Sequence, residues 1–136
     1  MNLLRKLFFV AIIFCSLATL NSCILAAVAV GGATVAYVDG NYSMNIQGNY
    51  KDVYTAALKA VNENNDFVLV SKTINSTDNT ADIEGATKID STSFSIEIEK
   101  LTKNASKVTI KFGTFGDQQM SSTLMDQIQA NVYKKS

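Results

Sequence analysis

Residues 94–112 constrain the fold more than any other part of the chain. Phe94, Ile96 and Ile98 alternate with Ser95, Glu97 and Glu99, and Val108, Ile110 and Phe112 alternate with Thr109 and Lys111. Successive side chains of a strand point to opposite faces, so this pattern has one apolar face and one wet face. It calls for an antiparallel sheet covered on one side only. Leu101–Ala105 would then be a hairpin loop, placing Glu97 or Glu99 opposite Lys107 or Lys111. Such pairs read as solvated cross-strand partners rather than as a catalytic carboxylate set.

The remaining elements supply the rest of the sheet and its cover. Tyr42–Ile46, between turn residues Gly40-Asn41 and Gly48-Asn49, fits a first strand. Phe67–Ile74 is rich in Val and Leu, and in Thr80–Thr87 Ala81 and Ile83 oppose Asp82 and Glu84. A helix follows the N-cap Asn49, with Asp52 in its first turn and Tyr50, Val53, Tyr54, Ala57, Leu58 and Val61 at helical spacing. The Asn64-Asn65 pair is expected to end it in a left-handed conformation. A second helix follows Gly113-Thr114-Phe115-Gly116, capped by Asp117, with Met120, Leu124, Ile128 and Val132 along one stripe and Lys134 and Lys135 suiting its C-terminal dipole. Together these predict an α+β fold, a two-layer sandwich of a mainly antiparallel sheet of four or five strands with two helices on one face. The single domain is expected over 39–136.

The N-terminus reads as an address. Arg5 and Lys6 precede an apolar run, Leu7–Leu20, broken only by Ser16 and Thr19. A basic start followed by a run too short to span a bilayer is the anatomy of a secretory signal. The run ends in Leu20-Asn21-Ser22-Cys23, which has the lipobox pattern. Leu20, Asn21 and Ser22 would be read by the signal peptidase, with Ser22 small enough to expose the bond. The Cys23 thiol would carry diacylglycerol through a thioether, together with further acyl chains such as palmitate. Cys15 follows bulky Phe14 and fails the same test. Two readings compete: residues 7–38 as one uncleaved membrane helix broken at Gly31-Gly32, and Cys23 as a buried small hydrophobe.

Cleavage before Cys23 gives three expected segments: a signal over 1–22, a lipidated cysteine with a small-residue apolar spacer over 23–38, and the domain. Two or more acyl chains hold a protein stably on a bilayer. Ile24 stands where Asp would act as an inner-membrane retention signal in many Gram-negative bacteria, which favours the outer membrane of the cell envelope.

Composition excludes several functions. Lys and Arg number 12 against 12 Asp and Glu, and loss of Arg5 and Lys6 leaves 10 against 12. No basic field is available for nucleic acid. Histidine is absent, and both cysteines lie in or beside the N-terminal apolar segment. The folded part therefore lacks the usual general base, any thiolate metal site and any Ser-His or Cys-His nucleophile. No cofactor, metal site or catalytic residue is expected, and the chain is not read as an enzyme.

The remaining constellations have structural readings. Gly113–Gly116 opens a helix as phosphate cradles do, but Asp117 occupies the exposed amides and the loop has no lysine. Asp78, Asp82 and Glu84 are oxygen-bearing, yet no loop wraps around an ion there. Three Asn-x-Ser/Thr sequons, at Asn41, Asn75 and Asn104, are read as unmodified. Tyr50, Tyr54, Phe94 and Phe112 could line an apolar pocket between helices and sheet, although core packing is the simpler account of them.

With Gly113-Thr114-Phe115-Gly116-Asp117 followed by Ser121, Leu124 and Ile128, the chain resembles a family of short bacterial lipoproteins known as a domain of unknown function. The likeness extends to the lipobox, the Ala/Gly/Val-rich stretch 26–36 and the step Tyr37-Val38-Asp39-Gly40. Residues 71–92 depart from it in being rich in Ser, Thr and Asn. The resemblance implies a compact envelope domain, similar in outline to small BON-type domains and to small Francisella-type envelope lipoproteins linked to virulence. The expected function is that of a non-enzymatic module, anchored to the membrane through Cys23, that contacts an envelope protein or lipid. The alternative is a binder or carrier of a small apolar ligand between helices and sheet.

Overall fold

A computed structural model of the chain describes residues 2–3 and 35–134. Residues 4–34, and with them Leu20, Asn21, Ser22 and Cys23, lie outside the described residues. Residues 34–136 form one compact unit, and its elements are β1 (Ala36–Val38), β2 (Asn41–Gln47), α1 (Tyr50–Glu63), β3 (Phe67–Asn75), β4 (Thr80–Thr87), β5 (Ser93–Thr102), β6 (Ala105–Phe112) and α2 (Gln118–Lys134).

The strands form a single antiparallel sheet in the order β1-β2-β6-β5-β4-β3. It has six strands, not the four or five expected. The extra one is β1, three residues read from the sequence as the end of a spacer. It pairs Ala36, Tyr37 and Val38 with Ser43, Tyr42 and Asn41. The two-residue turn between them explains this, since Asp39 and Gly40 both adopt positive φ, 52° and 82°. That is the type I′ geometry that Asp-Gly favours in a tight hairpin.

Alternation sets the register. Tyr42, Ile110, Ile96 and Ile83 form one row across four strands, and Met44, Val108, Ile98 and Ala81 form the next. All eight side chains are buried. The third row places Phe112 and Phe94 beside Gly85, where a Cβ would sit 2.3 Å from the Phe94 ring. The missing side chain is what lets the ring lie over β4. Phe67 completes a trio with Phe94 and Phe112, centroids 4.8 to 5.7 Å apart, a spacing at which aromatic rings attract beyond their buried area.

Both helices cover this face. Asn49 caps α1, accepting from the Lys51 amide at 3.0 Å, and the Asp117 carboxylate caps α2 through the Met120 amide at 3.0 Å. Ala56, Ala57 and Ala60 give α1 a shallow inner face, and Asn131 of α2 donates to its Ala56 carbonyl at 3.2 Å. The buried stripe of α2 is Ser121, Leu124, Met125 and Ile128. Met120 and Val132 are only half-buried, because residues four apart drift around a helix of 3.6 residues per turn.

Two turns differ from expectation. The hairpin between β5 and β6 is only Lys103-Asn104, with Leu101 bulged out of β5. Helix α1 ends with Asn64 in extended backbone, φ −81° and ψ 117°, rather than left-handed. Its side chain accepts from the Asp66 amide at 2.9 Å, a local turn that replaces the left-handed cap.

Every strand pair and every core side chain among the described residues lies within 36–134. Substituting Gly85→Ala should lower the unfolding free energy by about 1–3 kcal/mol through overpacking. Urea denaturation of the variant checks this, and a further Phe94→Leu change should recover part of the loss.

Candidate functional site

The antiparallel topology gathers the loops at two ends. One, the corner end, holds the Asp39-Gly40 turn, the 64–66 turn, the Lys88–Thr92 loop and the Gly113–Asp117 corner. The opposite end holds Gly48-Asn49, the 76–79 turn, Lys103-Asn104 and the last turn of α2.

At the corner end two backbone segments distant in sequence touch. A Cβ on Gly40 would sit 2.5 Å from the Phe115 carbonyl oxygen, and one on Gly116 would sit 2.3 Å from the Gly40 carbonyl oxygen. Both glycines have positive φ, 82° and 81°. Only residues without a side chain fit this contact. The β1–β2 turn is thus seated against the strand-to-helix corner.

The neighbouring loop is held by its own polar groups. The Thr87 hydroxyl donates to the Asp90 carboxylate, which also accepts from the Thr92 amide at 3.1 Å. The Thr87 amide donates to the Thr92 carbonyl at 2.9 Å and the Lys88 amide to the Asp66 carbonyl at 2.8 Å. The bonds made to the Asp90 carboxylate, first from Thr87 and then from Thr92, hold it below its ordinary pKa. The Gly113 amide donates to the Ser93 carbonyl at 2.7 Å, tying the corner to the start of β5.

This braced platform presents Ile89 and Phe115, which are 93% and 90% exposed. They flank a shallow hollow of about 270 Å³ that also includes Thr92, Gly113 and Asp117. Two large apolar side chains held in water on ordered loops are surface the fold itself does not use. Sequence reasoning missed both as contact residues. Phe115 sits inside the distinctive GTFGD turn, where the glycines drew the structural reading, and Ile89 lies in the polar stretch 71–92 as a lone apolar residue with no alternating partner.

The four aromatic residues singled out from the sequence are all buried. Phe94 and Phe112 stack at 4.8 Å near the corner end, whereas Tyr50 and Tyr54 belong to the first turns of α1, at the opposite end. The sheet's other face is open to water. It carries Glu84, Ser95 and Lys111 in one row, Asp82, Glu97 and Thr109 in another, and Glu99 beside Lys107 in a third. Burial, then the like charges of Glu99 and Asp82, raise the Glu97 carboxyl above its ordinary pKa, with Lys107 opposing. Among the described residues no group of three or more acidic, thiol or imidazole side chains is placed to hold a metal ion. No helix among them is long and apolar enough to cross a membrane.

Residues 6–131 match the family described as "Protein of unknown function (DUF3568)". The chain belongs to the DUF3568 family. No curated protein matches this DUF3568 chain. Among solved structures, a conserved protein from Geobacillus kaustophilus is similar at 11% identity and a TM-score of 0.40, over 72% of this chain and 94% of that one.

Two substitutions separate the backbone contact from backbone strain. Gly113→Ala, at φ 65° with its nearest neighbour at 3.4 Å, should cost about 1–2 kcal/mol from its left-handed conformation alone. Gly116→Ala adds a collision with the Gly40 backbone and should cost clearly more, as thermal and urea unfolding of the two variants will report. Glu97→Gln should raise stability at pH 7 by about 0.5 kcal/mol by removing a like-charge cross-strand pair. Because the folded pKa lies above the unfolded one, wild-type stability falls as pH rises between those values. The advantage of the variant should therefore vanish in melts run below the carboxylate range.

Proposed function

We propose that this protein is a non-enzymatic lipoprotein of the bacterial envelope, favouring the outer membrane, anchored through acylated Cys23, whose domain contacts another envelope component through the Ile89 and Phe115 loops. The observation that carries the contact reading is the pair of near-fully exposed apolar side chains on braced loops. Flexible loops would lose much of the binding energy to ordering, whereas these are already fixed. The order of basic start, short apolar run and Leu20-Asn21-Ser22-Cys23 supports the anchor. Mutual packing of Phe67, Phe94 and Phe112 supports this reading over that of an apolar-ligand carrier, since the rings fill one another's space.

Mass spectrometry of the protein purified from membranes should find Cys23 as the first residue, bearing diacylglyceryl and acyl mass, and Cys23→Ala should abolish both cleavage and acylation. A native protein that begins at Met1 without acyl mass would overturn the anchor. A photo-cross-linker at position 115 should give a discrete adduct in intact cells that one at position 95 does not.

A further inference from the structure

The two ends of the domain differ in charge. The corner end carries Asp39, Glu63, Asp66, Asp90 and Asp117 against Lys88, Lys111 and Lys59, the last paired with Glu63 at 3.8 Å. The opposite end carries Lys51, Lys100, Lys103 and Lys134, all exposed, against Asp52, Asp78 and Glu99. Two large apolar residues join the lysines there, Leu101 at 48% exposure and Tyr133 at 50%. A hollow of about 580 Å³ at that end is lined by Gln47, Asn49, Asn104, Val132 and Tyr133, with Asp52 at its wall.

The direction of β1 adds an independent observation. Strand β2 runs from the corner end to the opposite end, and β1 is antiparallel to it. The chain therefore runs through β1 toward the corner end. Only twelve peptide steps separate Cys23 from Val35, a reach of at most about 40 Å.

We propose that the end carrying Lys51, Lys100, Lys103 and Lys134, with Leu101 and Tyr133, rests on the phosphate-bearing headgroups of the bilayer that holds the chain, and that the Ile89 and Phe115 loops face away from it. This orientation rests on the reading of Cys23 as the membrane tether. Lysines near an anionic surface each contribute attraction that fades within a Debye length, and amphipathic Tyr133 suits the headgroup layer. The five carboxylates of the corner end would be repelled from the same surface. Tethering confines the domain to a small volume beside the bilayer, so even weak attraction orients it. The acidic, apolar-tipped end is left free for its partner.

The chain contains no tryptophan, so one introduced Trp reports its own surroundings. Residues 23–136 hold a single thiol, Cys23, which can be coupled to a maleimide-headgroup lipid. The test uses this form on vesicles of phosphatidylethanolamine and phosphatidylglycerol with brominated acyl chains, with Leu101→Trp and Phe115→Trp made separately. Leu101→Trp should shift to shorter wavelength and be quenched at least twofold more than Phe115→Trp. Charge reversal by Lys51→Glu with Lys103→Glu, or 0.5 M salt, should reduce that quenching. Stronger quenching of Phe115→Trp would overturn the proposal by reversing the orientation, and equal quenching or none at either site would overturn it by showing no preferred face. Matching melts of both variants exclude misfolding. Since the tether is supplied chemically, the outcome does not depend on whether cells acylate Cys23, which the mass measurement decides separately.

Discussion

The structure depends on a sheet that is apolar on one face only. The row Tyr42, Ile110, Ile96 and Ile83 and the row beside it place eight buried side chains in register across four strands. A slip of one residue in any strand would turn its apolar set to water and its Ser, Thr, Glu and Lys set to the core. The helices follow from this, because one exposed apolar face needs cover, and α1 and α2 each bring one buried stripe to it. Burial of this kind, at roughly 25 cal/mol per Å², outweighs the small repulsion between Asp82 and Glu97 on the wet side.

Where the chain folds by period, the sequence was readable. The alternation of 94–112 gave both central strands and their buried faces, and Asn49 and Asp117 marked the two caps. Glu99 does stand opposite Lys107. Where the fold is decided by turn chemistry or distant packing, it was not. Ala36–Val38 has no alternation long enough to announce a strand, and only the Asp39-Gly40 turn recruits it. Leu58 fits the apolar spacing of α1 but is half-buried, whereas Ala56 and Ala60 are buried. Small residues at the contact let the helix sit close.

The corner end was half legible. Tyr37-Val38-Asp39-Gly40 and Gly113–Asp117 were both picked out, but nothing in one sequence says that segments more than seventy residues apart meet backbone to backbone. Gly40 and Gly116 meet because neither has a Cβ. The braces of the third loop, from Thr87 and Thr92 to Asp90, are legible only as a polar run. Ile89 and Phe115 are conspicuous because the polar groups of Thr87, Asp90 and Thr92 beside them are hydrogen-bonded.

Strand β1 is three residues long, all exposed, and pairs with β2 alone. It is also the first strand of the domain that a pull from the N-terminal side would reach. Three ladder positions at a sheet edge open at far lower free energy than a buried core does, while the seated Asp39-Gly40 turn stops the opening at the start of β2. The edge strand is thus a sacrificial link: under load the chain can lengthen by a few residues there while the buried rows behind it stay closed.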